Sequence, residues 1–163
     1  MQKYKFIHRV TECYPLLKQL APVLEQATEM IICSIQAKGK ILVCGNGGSA
    51  ADAEHIVGEL LKGFLLPRRI TQEQTAALVV AFPDSGAQLA KNLQQAIPAI
   101  SLVSGVSFPT AFANDVTAEY VFAQQVFGLA KEGDILWGLS TSGNSRNLLR
   151  AFQVARAFKV KTL

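Results

Sequence analysis

The sequence predicts an α/β fold, a doubly wound parallel sheet with helices on both faces, and three observations carry that expectation. Apolar runs of strand length at residues 40–44, 99–103 and 135–139 alternate with longer segments of helical periodicity, the order that builds β-α-β units. The runs are nearly continuous in apolar side chains rather than alternating, as strands covered on both faces require. The first and last of them end in turns rich in Gly, Ser and Asn that open straight into a helix.

Taken in order, residues 3–38 read as helix interrupted at Pro15 and Pro22, with Ile31 and Ile35 on an apolar stripe that stops at Gly39. These N-terminal helices precede the sheet and are expected to lie outside it. Residues 40–44 form a strand, 45–48 a glycine-rich turn and 49–62 a helix. The middle is ambiguous: Leu78 to Phe82 suits a strand, yet Thr71 and Gln74 have the spacing of a capping box, which favours a helix. A second short helix over 84–96 stops before Pro98, and 99–103 makes the next strand. Residues 117–130 are expected as helix, 135–139 as the clearest strand, and 144 or 145 to 158 as the last helix. Residues 160–163 begin a further strand with no helix behind it, so the cover of the sheet is expected to be incomplete and the chain to be part of a longer protein.

Composition narrows the class. The 163 residues are 50% hydrophobic and 17% charged, enough to bury one ordinary core and too weakly charged for disorder. A single domain over 1–163 is expected, with N-terminal helices over 1–38 and the sheet with its covering helices over 40–163. The formal charge of +4 is mild and its basic residues are scattered, which favours small anions over nucleic acid as partners. No window holds the roughly 18 uninterrupted apolar residues of a membrane helix, and MQKYKFIHRV lacks the apolar core of a signal peptide. No membrane partner and a cytoplasmic location are the expectation. Cys13, Cys33 and Cys44 read as buried free thiols of a reducing compartment, not as a disulfide framework or a metal site.

Two turns carry the chemistry. Gly45-Asn46-Gly47-Gly48-Ser49, leaving a strand and entering a helix, places free N–H groups and the positive helix end at one point, where an anion is stabilised. A tight connection that needs glycine's positive φ is the alternative. Through Ala50 the string also fits Gly-x-Gly-x-x-Ala, but the acidic residue that would hold a ribose about 20 positions later is missing, so a nucleotide cofactor is not expected. The second turn, Ser140-Thr141-Ser142-Gly143-Asn144-Ser145, repeats the arrangement with four hydroxyls able to donate to phosphate oxygens. Its alternative is an ordinary helix-capping run. Neither turn has the lysine of a nucleotide-hydrolysing loop.

His55 and Glu59 stand four apart on the helix leaving the first turn and share a face. They are either acid–base apparatus beside a bound substrate or an exposed helix pair, and as metal donors they supply two positions where zinc needs more. Asp115, after Asn114, is either a helix cap or a carboxylate that accepts from sugar hydroxyls.

CGNGGSAADAEHIVGEL and GLSTSGNS resemble the sugar isomerase (SIS) domain, specifically its phosphoheptose isomerase branch, in order along the whole chain. The resemblance implies a flavodoxin-like fold and a phosphosugar aldose–ketose isomerase converting sedoheptulose 7-phosphate to a heptose 7-phosphate. It implies phosphate binding by Ser140, Thr141, Ser142 and Ser145, sugar binding by Asn46, Gly47, Ser49 and Asp115, and a base in Glu59 with His55 beside it. It further implies a homotetramer with the pocket at a subunit interface and, in some members, zinc held through the positions of His55 and Glu59. A histidine partner for the base, and a glutamine, stand in the family on a C-terminal helix beyond residue 163, so this stretch alone is expected not to complete the reaction. The interval from Glu59 to Asp115 is longer than usual in the branch, and Lys62-Gly63 replaces its Gly-Arg. The extra segment, about 67–96, is expected to form a lid or an oligomer contact. The competing expectation is a non-catalytic phosphosugar-binding protein, or one that binds the bacterial replication initiator; the relative that does the latter lacks the acid matching Glu59.

Overall fold

A computed structural model describes residues 4–163; Lys3, the expected start of the first helix, lies outside them. The chain opens with α1 (Lys5–Cys13), a 3-10 turn (Pro15–Leu20) and α2 (Ala21–Gln36). Pro15 interrupts the helix as expected, but Pro22 does not. It stands in the first turn of α2, where its missing N–H would have had no partner. Then follow β1 (Ile41–Gly45), α3 (Gly48–Leu61), α4 (Gln72–Ala81), α5 (Gly86–Asn92) and β2 (Ala99–Ser101). The second half holds α6 (Ser107–Phe112), α7 (Val121–Leu129), β3 (Ile135–Leu139), α8 (Arg146–Ala157) and β4 (Lys161–Thr162).

All four strands are parallel in the order β2-β1-β3-β4. Side-chain alternation along β1 feeds two cores. Leu42 and Cys44 join Val126 of α7 and Leu148, Ala151 and Ala155 of α8 on one face, while Ile41 and Val43 meet Ala53 and Val57 of α3 on the other. The sheet is thus doubly wound. The stripe of α2 foreseen from Ile31 and Ile35 packs on the α3 side.

Cys44 is fully buried, and burial pushes its thiol up to about 12, so it behaves as a small apolar filler. Cys13 and Cys33 are exposed, against expectation. Cys33 lies two residues from both Ile31 and Ile35, and such a spacing points away from the stripe they share.

The ambiguous middle is helical. Thr71 accepts from the Gln74 N–H at 3.1 Å and Gln74 accepts from the Thr71 N–H at 2.8 Å, the full capping box of α4. α4 and α5 form a hairpin closed so tightly that a Cβ on Gly86 would lie 2.3 Å from the Leu78 carbonyl oxygen. Arg68 and Gln94 tie this insertion to the end of α3: the Arg68 guanidinium donates to the Leu60 carbonyl at 2.9 Å, and Gln94 accepts from the Gly63 N–H at 2.7 Å. The helix expected over 117–130 is shorter, preceded by a π-turn (Ala113–Thr117) and a 3-10 turn (Ala118–Tyr120).

Candidate functional site

β1 leads through α3 to β2 on one side of it, and the chain then returns across to β3 on the other. The strand order therefore reverses between β1 and β3, the place where a parallel sheet opens a crevice at its carboxyl ends. In register Gly45 lies opposite Leu139, so the two glycine- and serine-rich turns leave adjacent strands at the same level.

In the second turn three hydroxyls converge. Ser140 Oγ lies 3.1 Å from Ser145 Oγ and 3.5 Å from Ser142 Oγ, and it accepts the Gly143 N–H at 3.1 Å. Gly143 has φ +67°, the left-handed conformation that folds the turn over these hydroxyls at no steric cost. Ser145 occupies the N-cap position of α8 but makes no cap hydrogen bond. Its hydroxyl faces Ser140 instead, so the capping alternative does not describe it. Thr141 is exposed beside the cluster. A ring of hydroxyl donors over a helix start is chemically suited to a phosphate.

The first turn is differently engaged. Gly47 takes φ +55° and ψ −121°, a conformation that a side chain would oppose. The Ser49 and Ala50 N–H groups already donate to the carbonyls of Asn46 and Gly47, each at 3.0 Å. Asn46 and Asn147 exchange side-chain amide bonds of 3.0 and 2.9 Å, joining the first turn directly to the start of α8. The pair forms one wall of a cavity of about 390 Å³ whose other lining includes Val103, Thr110 and Val121. A larger groove of about 650 Å³ is lined by α8 residues alone, with no strand end or second turn contributing.

Glu59 lies on α3, roughly 16 Å along the helix from Gly48 at about 1.5 Å per residue. The Lys62 ammonium donates to its Oε1 at 2.8 Å and holds the carboxyl below the ordinary carboxylate range; partial burial opposes, and Lys62's charge, His55 and Arg68 add to the lowering. Glu59 Oε2 is buried without a hydrogen-bond partner. His55 is exposed on the same face. These two donors are fewer than the four of tetrahedral zinc, and among the described residues no group of three or more His, Cys, Asp or Glu side chains could hold a metal. The described residues do not by themselves compose a zinc site.

Asp115 is exposed in the π-turn and accepts from the Asn114 side chain at 2.9 Å. The cap of the following turn is Thr117, whose hydroxyl accepts from the Glu119 N–H at 3.3 Å, so Asp115 is free of that duty. This segment is held against α8 by Arg150, which donates to Glu119 at 2.8 Å and lies over the Tyr120 ring.

Asn46, Gly47 and Ser49 are thus brought beside Ser140, Thr141, Ser142 and Ser145. His55, Glu59 and Asp115 make no hydrogen bond to either turn among the described residues. Asn147 is the residue that motif reading missed, because the serine-rich string ends before it. The residue type was the available signal: an amide just inside a helix that opens beside an Asn-bearing turn.

A SIS domain model matches residues 5–94. Over 147 residues the chain is 38% identical to the phosphoheptose isomerase of Helicobacter pylori (strain ATCC 700392 / 26695), covering 90% of this chain and 63% of that protein. Over 133 residues it is 39% identical to the phosphoheptose isomerase of Synechocystis sp. (strain ATCC 27184 / PCC 6803 / Kazusa), covering 82% of this chain and 55% of that protein. The chain therefore spans about three fifths of the length of these curated relatives. The solved structure of phosphoheptose isomerase GmhA from Neisseria gonorrhoeae matches with a TM-score of 0.69 at 30% identity, over 97% of this chain and 68% of that one. A phosphoheptose isomerase structure from Francisella tularensis matches with a TM-score of 0.69 at 29% identity, over 99% and 74%.

Proposed function

The chain belongs to the SIS domain family, on its phosphoheptose isomerase branch, and on that premise we propose that it binds a phosphorylated seven-carbon sugar and takes part in converting sedoheptulose 7-phosphate to a heptose 7-phosphate. The observation that carries the reading is the convergence of the Ser140, Ser142 and Ser145 hydroxyls at the end of β3, beside the first turn at the end of β1. Ser140, Thr141, Ser142 and Ser145 hold the phosphate; Asn46, Gly47, Ser49 and Asp115 orient the sugar hydroxyls.

The reaction moves a proton between adjacent carbons. A base removes it from C1 of the ketose while the C2 carbonyl oxygen takes up a proton, giving the C1–C2 enediol; protonation at C2 with loss of the O1 hydroxyl proton then leaves an aldehyde at C1 and a hydroxyl at C2. Glu59 is that base, kept ionised by Lys62 and with its second oxygen unpaired. The phosphate and the reacting carbons lie at opposite ends of the sugar, which suits a base set well down α3 from the cradle. His55 stands beside it on the same face. His55 and Glu59 would be this chain's contribution to a zinc site of the kind that the resemblance implies.

The working form is a homotetramer with its pocket at a subunit interface, a reading supported by the exposed Phe6, Tyr14, Leu16 and Val23 of the N-terminal segment. We place it in the cytoplasm; among the described residues no helix is long and apolar enough to cross a membrane. We read residues 1–163 as one domain. The test is turnover of sedoheptulose 7-phosphate by the chain extended through the C-terminal helix that the resemblance implies, and by its Glu59→Gln variant, with an expected loss of at least about 100-fold. Equal turnover by the variant removes Glu59 from the chemistry, and stoichiometric capture of a replication initiator at physiological salt favours the binding-protein reading instead.

A further inference from the structure

The Asn46 and Asn147 side chains meet across 101 positions of sequence through two hydrogen bonds, and such an amide pair can be drawn with either polarity. A third bond decides it. The Leu148 N–H, in the first turn of α8, donates to Asn147 Oδ1 at 3.0 Å. A backbone N–H can only donate, so that end of Asn147 is its oxygen and the other end is its NH2 group. Asn147 Nδ2 then donates to Asn46 Oδ1, and Asn46 Nδ2 donates back. The start of α8 thereby dictates which way the amide of Asn46 faces.

We infer that Asn147 is a positioning residue: it fixes the amide of Asn46 for the sugar and sets the first turn against the second, an inference that rests on the phosphosugar reading above. Each side-chain amide has two N–H donors and two oxygen lone pairs. One of each on Asn46 is used by Asn147, leaving one donor and one lone pair for a sugar hydroxyl, which both gives and accepts. Asn46 is exposed and Asn147 half-buried. Without its partner, Asn46 is an unrestrained side chain that any ligand must order.

The test uses the whole chain with two readouts. In the free protein, the side-chain amide protons of Asn46 are followed by NMR; they are expected to exchange slowly with solvent and to lose that protection in Asn147→Ala. Calorimetry then measures sedoheptulose 7-phosphate and inorganic phosphate separately. Asn147→Ala is expected to weaken the sugar phosphate roughly tenfold and inorganic phosphate less than about twofold, the size of one lost positioned hydrogen bond acting on the sugar alone. Asn46→Ala and the double variant are expected to match it, since residues acting as a unit are non-additive. Asn147→Asp, which keeps the oxygen for Leu148 but removes the donor to Asn46, is expected to repeat the loss. Unchanged Asn46 protection in Asn147→Ala, additive losses, or equal loss for both ligands overturns the proposal. If the unsubstituted chain binds no sugar phosphate while protection still depends on Asn147, the pair stands and the phosphosugar reading falls.

Discussion

β1 and β3 lie side by side, and their two ends are built on opposite terms. At the amino ends the polar groups are saturated and buried. Asp134 is fully buried, takes the Lys40 ammonium, and accepts the Lys40 and Lys131 N–H groups, each at 2.9 Å; Ser34 of α2 donates to the Gly133 carbonyl at 2.6 Å. At the carboxyl ends the hydroxyls of Ser140, Ser142 and Ser145 face one another with donors to spare, and the two bonds of one amide pair tie the first turn to the start of α8. The difference separates two jobs. Register and stability are fixed at the amino ends, which leaves the opposite end able to keep unsatisfied groups, as the proposed anion site requires.

The largest effect should follow from breaking the amino end. Asp134→Asn leaves the Lys40 ammonium without its partner and is expected to cost about 3 kcal/mol of stability by chemical denaturation. Sugar phosphate affinity, measured where the variant is still folded, should hardly change. Burial pushes the Asp134 carboxyl up, but the hydrogen bonds and charge of Lys40 and the Lys131 N–H outweigh it and hold the group below the ordinary range. Its contribution is therefore complete above the ordinary value of about 3.9 and is lost as pH falls through the lowered native value. The variant should lack that acid-side loss.

A smaller effect probes the carboxyl end. Ser145→Ala is expected to weaken sugar phosphate binding roughly tenfold, one charge-assisted hydrogen bond, while changing stability by less than about 0.5 kcal/mol. A working N-cap would show the reverse, a loss near 1 kcal/mol of stability with affinity kept. The smallest effect concerns Glu59. Lys62→Met should let its carboxyl rise towards the ordinary range, seen by NMR titration and as an acid limb of the rate profile moved to higher pH. A limb that moves to lower pH, or a carboxyl that stays put, dissociates Lys62 from the base.

The same contrast explains what could be read from the sequence. β1, β3 and their turns are local signals: an apolar run, a few turn residues and a helix start. The capping box at Thr71 and Gln74 decided the ambiguous middle for the same reason, because those two residues, three apart, satisfy one another. Residues 107–116 were not legible as helical turns. Pro109 looks like a breaker, yet it falls in the first turn of α6, where no N–H is needed. The exposed Cys33 was misread because apolar neighbours in sequence are not neighbours on a helix. The clamp on Asp134 and the pair formed by Asn46 and Asn147 each join residues about a hundred positions apart, and only the parallel register of β1 and β3 brings them together.

The central claim is that the two turns divide one ligand, the phosphate going to the second and the sugar to the first. Backbone amide shifts of the chain titrated with inorganic phosphate and with sedoheptulose 7-phosphate test it directly. Inorganic phosphate should move residues 140–147 alone, and the sugar phosphate should move these together with 45–49. Shifts from both ligands centred elsewhere, such as along the Arg150 to Arg156 side of α8, or no shift in either turn, would contradict it.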